Sequence, residues 1–296
     1  MTVPPRTAEL PEETLKILRD MQRNESTDAV IYARLGARTP GENGRVLARI
    51  AAEEEKHARI WSKYTNRTVE PNRFKVWFFL LLGALFGLTF VVNLLEGAEK
   101  QTQHVYEELK GRIPEAQWIQ EQEEEHEARL IAMIDEERLR YIGSMVLGLN
   151  DALVELTGAL AGFTLALGDT RTVGLAGLIT GIAATLSMAA SEYLSNKAEG
   201  GENHPLKASV YTGIAYLITV VVLLLPYFVV RSPLTALFFC LVGAATIIFV
   251  FTFFVSVVHK KPFRPAFFGM IAISFGVALI SFLIGWAAKR WLGVEA

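Results

Sequence analysis

The chain has 296 residues, 51% of them hydrophobic, and its 29 basic and 31 acidic side chains leave a formal net charge of −2. It has no basic tract or basic-aromatic patch to suit a nucleic acid, and no glycine-rich phosphate loop between a strand and a helix. The single cysteine, Cys240, excludes an intrachain disulfide.

The two halves are unlike. Residues 1–140 carry 20 Lys/Arg and 24 Asp/Glu, whereas residues 141–296 carry 9 and 7. The first half (1–140) reads as a charged, water-compatible helical domain. The second (141–296) reads as a membrane domain whose long apolar runs are broken by short polar links. Met1-Thr2-Val3-Pro4-Pro5-Arg6 has no apolar stretch like a signal peptide, so the first domain is expected to stay in the cytoplasm.

In chain order, a first helix is expected from near Pro11 to near Gly36, with Leu18, Glu25, Ala29 and Tyr32 on one stripe and Glu25 therefore inward. Thr39-Pro40-Gly41-Glu42 reads as a capping box that opens a second helix reaching about Lys63. Trp77 to Leu95 then runs nineteen residues without a charge, about 28 Å as a helix. It is expected to be the long crossover between two helix pairs of a bundle, lying against the membrane or a second subunit. A sixth span there would put its two flanking helix pairs on opposite sides of the bilayer. A third bundle helix opens at Glu96-Gly97-Ala98-Glu99 and ends at Gly111. Pro114 starts a fourth, and nothing between Glu115 and Ile142 interrupts it, so it is expected to run on into the membrane.

Five spans follow, at about 141–167, 172–195, 207–230, 233–258 and 266–290, each long enough for a ~30 Å hydrocarbon core. The basic link His259-Lys260-Lys261-Pro262-Phe263-Arg264, with Arg138 and Arg140 before the first span, belongs in the cytoplasm by the positive-inside rule. That orientation agrees with five spans and a cytoplasmic N-terminus. The fold expected is therefore all-α: a four-helix bundle followed by a five-helix membrane domain.

Only five histidines are present, and two stand in paired settings, Glu54/His57 and Glu123/His126. Glu and His three apart project from one helix face and can offer a carboxylate and an imidazole to the same metal. One such pair in a Glu-rich helix is usually a solvated face. Two, with Glu25 and Glu96/Glu99 on further helices, crowd a bundle core with carboxylates that only a cation makes tolerable. Iron, manganese and zinc all suit these ligands. His104, His204 and His259 have no partner at ligand spacing and read as surface or loop residues.

The order Glu, Glu-x-x-His, Glu-x-x-Glu, Glu-x-x-His resembles that of rubrerythrin-type ferritin-like domains, falling here on Glu25, Glu54/His57, Glu96/Glu99 and Glu123/His126. The resemblance implies a di-iron site in which Glu54 and Glu123 bridge, His57 and His126 supply imidazoles, and Glu25 with Glu96 or Glu99 completes the shell.

In the first span, Asp151 and Glu155 are four apart and stack on one face; in the second, Met188 and Glu192 do the same. Acids at the bilayer centre cost about 2.5–3.5 kcal/mol each and call for a cation, a proton or a wet path. Leu-Asn-Asp followed by Leu-Val, and Ser-Met-Ala-x-x-Glu-Tyr, make these spans similar to the vacuolar iron transporter family. Asp151, Met188 and Glu192 match positions lining that family's metal path, and Glu155 stands where many members have a small polar residue. A ferritin-like domain fused to such a transporter resembles the bacterial membrane-bound ferritins. The combined resemblance implies a protein of the cytoplasmic membrane that exports iron. Fe²⁺, or Mn²⁺, is expected to leave in exchange for protons, since a carboxylate cannot hold both equally well, and five spans without an internal two-fold repeat point to a homodimer. The competing expectations are a di-iron ferroxidase or peroxidase merely tethered by its spans, and a bundle that senses metal without redox chemistry.

Overall fold

The computed structural model describes residues 10–100, 106, 109, 113–132, 141–200 and 204–292. Among them the elements are ten α-helices. The chain divides into two compact units, Met1–Asp135 and Glu136–Ala296.

The first unit opens with α1 (Glu12–Gly36) and α2 (Gly41–Thr65), which pack along each other. Pro11 precedes α1, Glu12 and Glu13 occupy its first turn and Arg34 its last, an arrangement that complements the helix dipole. The stripe of Leu18, Glu25, Ala29 and Tyr32 is buried. The capping box does not form. The Thr39 hydroxyl donates instead to the Leu35 carbonyl at 2.9 Å, closing α1, and α2 begins after Pro40 without a side-chain cap. The turn is tight enough that a Cβ on Gly44 would lie 2.1 Å from the Thr39 carbonyl oxygen. At the other end of the pair, the Gln22 amide donates to the Arg67 carbonyl and accepts from the Thr65 hydroxyl, at 2.8 and 2.7 Å.

The uncharged segment forms two short helices, α3 (Arg73–Phe86) and α4 (Leu88–Lys100), of 14 and 13 residues. Asn72 caps α3 by accepting from the backbone N–H groups of Phe74 and Lys75. The break is Gly87, at φ 93° and ψ 170°, a region open to glycine alone. Neither piece spans a bilayer by itself. Glu96 accordingly does not open a helix: α4 starts eight residues earlier, because the apolar Leu88–Leu95 stretch keeps burying side chains beyond the break (Phe90, Val91, Val92 and Leu95 are all in the core). Tyr106 and Leu109 pack with Leu18, Met21, Trp61, Ile113 and Ile119. Then α5 (Pro114–Ala132) starts at the expected proline. Residues 133–140, where α5 was expected to run on, and Gly111 and His104 lie outside the described residues.

The second unit holds α6 (Ile142–Leu167), α7 (Thr170–Glu199), α8 (Pro205–Val229), α9 (Pro233–Val258) and α10 (Phe263–Leu292). Each is long and apolar enough to cross a membrane. The first, α6, packs against the other four. Glycine lets it approach α10 closely: a Cβ on Gly285 would fall 2.3 Å from the Gly162 carbonyl oxygen. On α7, Gly177 and Gly181 admit Leu160, Leu224 and Val220 in the same way. The core between α6, α8 and α9 contains Leu153, Leu156, Leu160, Tyr216, Leu223, Tyr227, Cys240 and Ile248, while the outer faces are studded with exposed Leu, Ile, Val and Phe, as lipid requires.

Candidate metal centre

Helix periodicity turns Glu25 of α1, Glu54 and His57 of α2, and Glu123 and His126 of α5 into one interior. Ligand atoms of Glu25, Glu54, His57 and Glu123 all lie within 4.8 Å of one another. The His57 Nδ1 is 2.9 Å from Glu123 Oε1, 3.7 Å from Glu25 Oε2 and 3.8 Å from Glu54 Oε2. The His126 Nδ1 is 3.1 Å from Glu54 Oε1 and 3.4 Å from Glu123 Oε2. Glu54 and Glu123 thus each direct one oxygen at either imidazole.

The outer ring nitrogens are held by residues the motif did not single out. His57 Nε2 lies 3.1 Å from Gln122 Oε1, and His126 Nε2 lies 2.8 Å from Glu53 Oε2. The residue just before each ligand-type glutamate therefore serves the histidine of the opposite helix. An acceptor at Nε2 fixes the hydrogen there in a neutral ring and leaves the Nδ1 lone pair facing inward. The repeated pattern (Glu or Gln)-Glu-x-x-His was the available signal. Glu25 Oε1 accepts from Trp61 Nε1 at 3.3 Å and from the Tyr106 hydroxyl at 3.0 Å. Trp61, one turn after His57, was legible in the same way. Glu96 of α4 is buried, and the side chain of Glu99 lies outside the described residues.

The electrostatics fit a cation. Burial alone would raise Glu25, yet hydrogen bonding to His57 and Glu54 and the His57 charge carry it down to about 2. Burial together with the charges of Glu123 and Glu25 pushes Glu54 well above the carboxylate range. Burial disfavours imidazolium, but hydrogen bonds to Glu123, Glu25 and Glu54 outweigh it and lift His57 to about 12. His126 rises too, burial being overcome by the hydrogen bonds and charges of Glu123 and Glu53. Both Glu123 oxygens are buried without a hydrogen bond of normal geometry, so their chemistry suits a cation. This buried Glu/His cluster can hold a metal ion.

In the membrane unit the four expected residues spread along α6 and α7. Glu192 is buried, and its Oε1 accepts from the Ser144 hydroxyl at 2.6 Å and the Asn196 amide at 2.9 Å. Asp151 is half-buried, seven residues beyond Ser144 on α6. Glu155 is exposed at the surface of the unit and accepts from the Tyr216 hydroxyl at 3.0 Å. Met188 is half-buried against the apolar core, one turn before Glu192. No three acidic, histidine or cysteine ligand atoms converge in this unit among the described residues. His204 and His259 are exposed, and the His204 backbone N–H donates to the Tyr141 hydroxyl.

Residues 142–201 match the sequence model of the VIT family. The second unit therefore carries a VIT-type membrane domain, the match covering α6, α7 and all four expected residues. No curated protein and no solved structure matches the chain.

Proposed function

We propose that this protein is a membrane transporter that moves Fe²⁺ or Mn²⁺ out of the cytoplasm in exchange for protons, with the first unit gathering the ion. The observation that carries the reading is the joining, in one chain, of a buried Glu/His cluster to a VIT-type pair of spans bearing Asp151, Glu155, Met188 and Glu192. Carboxylates within spans bind the cation, and Met188 adds a soft sulfur. A carboxylate cannot hold a proton and a metal equally well, so protonation from the far side releases the ion. Glu155, exposed on a single chain, favours a homodimer in which a second copy shields it from lipid.

Glu25, Glu54, His57, Glu123 and His126 are the residues that would hold a di-metal centre of the ferritin-like kind. Such a centre, with iron bound, would supply ferroxidase chemistry. The protein's own contribution is to orient both imidazoles through Gln122 and Glu53, to fix Glu25 through Trp61 and Tyr106, and to give up the protons that a cation displaces.

The test is metal-quenched dye in proteoliposomes, with and without a pH gradient, using Fe²⁺, Mn²⁺ and Zn²⁺. Asp151→Ala and Glu192→Ala are expected to abolish gradient-driven transport while leaving metal binding by the first unit intact. Transport by both variants at the wild-type rate would refute the path. Iron-dependent oxygen consumption that survives in wild type with no transport at all would favour the tethered oxidase, a reading that draws on the two imidazoles sharing Glu54 and Glu123.

A further inference from the structure

Every large apolar side chain that is exposed in the first unit, among the described residues, sits on α3: Phe74, Trp77, Phe78, Leu81 and Leu85. They fall at helical spacing on one face, with Phe74 71% and Leu85 63% exposed. The opposite face is committed. Val76, Phe79 and Leu80 are buried, Lys75 Nζ pairs with Asp28 of α1 at 3.0 Å, and Gly83 lies close to Leu35. So α3 is fixed to its unit by one side and offers the other, greasy, side outward.

We propose that this face lies in the interfacial layer of the bilayer that the chain's own spans occupy. Three features select lipid as the occupant. First, Phe74 packs on Trp77 and Phe78, with ring centroids 5.9 and 6.3 Å apart, and such aromatics concentrate at the headgroup level of membranes. Second, Arg73 heads the helix and faces Glu70 at 3.6 Å in an exposed pair that water screens, no acid lies within Arg73–Phe86, and the helix ends cleanly at Gly87. That charge pattern suits anionic headgroups, with the cation at the rim and the apolar stripe about 5–10 Å into the headgroup-acyl boundary. Third, the stripe is too small for a protein partner. A 14-residue helix presents a strip about 21 Å by 10 Å, roughly 200 Å², against the ~800 Å² per partner that a stable dimer buries. Because the chain carries five membrane-capable helices, a bilayer is always within reach, and even a weak interfacial helix engages it at high effective concentration.

The experiment uses the full chain with Cys240→Ala, labelled with an environment-sensitive dye at Leu81→Cys, Leu85→Cys or the exposed control Lys63→Cys. Each is reconstituted in phosphatidylcholine vesicles with and without phosphatidylglycerol, carrying nitroxide lipids labelled near the headgroup or at the chain end. Dye at 81 and 85 is expected to shift to the blue and lose most of its emission to the shallow quencher, while dye at 63 stays at its aqueous wavelength and unquenched. Arg73→Glu is expected to weaken the shallow quenching in the anionic vesicles. Three results would overturn the proposal. They are an aqueous, unquenched signal at both stripe positions; stronger quenching by the deep than the shallow nitroxide; or dye that is shielded but unquenched, together with a 81–81 disulfide between copies.

Discussion

Gln122 and Glu53 show how much of a candidate site rests on residues behind its ligand-type side chains. Each sets the tautomer of a histidine on the facing helix. Gln122→Leu keeps the volume and removes the acceptor, so metal affinity is expected to drop about 10–100-fold while helix content holds. Competition against a chelating indicator measures it, and an unchanged affinity would assign Gln122 to packing only. The protons on the metal-free cluster give a second test. Hydrogen bonds to Glu123, Glu25 and Glu54 lift His57 to about 12, so that ring holds a proton at pH 7 that an entering cation must displace, and Glu54 is shifted in the same direction by burial. Affinity should therefore rise with pH and fall as pH drops, by about tenfold per pH unit for each proton released. Addition of Mn²⁺ to unbuffered protein should acidify it, and no acidification would contradict the assignment. At this scale the sequence was most informative: spacing alone pointed to Glu25, Glu54, His57, Glu123 and His126. What it could not give was the outer layer, since Gln122 and Glu53 read as solvated neighbours until two helices are brought face to face.

Helix existence was legible from periodicity and punctuation, helix ends less so. Pro11 and Pro114 mark true starts. Thr39 was misleading because the second helix takes Pro40 as its N-cap, and the Thr39 hydroxyl donates back to the Leu35 carbonyl. The start of α4 was missed because an apolar run looks the same on either side of a glycine until φ is known. Glycines at helix crossings are also silent in sequence. Gly44→Ala places a methyl against the Thr39 carbonyl and is expected to lower the stability of the first unit by about 1–3 kcal/mol, read as a fall in thermal midpoint. Gly97, on α4, meets nothing within 4 Å, so Gly97→Ala should be neutral or gain up to about 1 kcal/mol from helix propensity. Equal responses from the two would mean that contact distance does not decide the outcome.

Over the whole molecule, charge and apolar runs together set residues 1–140 apart from 141–296, because a bilayer and an aqueous bundle impose opposite demands on Lys, Arg, Asp and Glu. The family match extends over two spans, and the function proposed for the first unit rests on its chemistry. If that unit feeds the spans, Glu54→Ala with His57→Ala should slow transport at scarce metal and leave it near normal when metal is abundant. Equal slowing at both concentrations would point to a gate instead.

Gly87 bears on which way the chain is threaded. With any other residue at φ 93° the turn is strained, and relief lies in fusing α3 and α4 into one rod of about 28 residues, roughly 42 Å. A rod of that length would be long enough to cross a bilayer. On the reading with five spans, such a crossing would add a pass and part His57 from His126, and the glycine at position 87 stands against it.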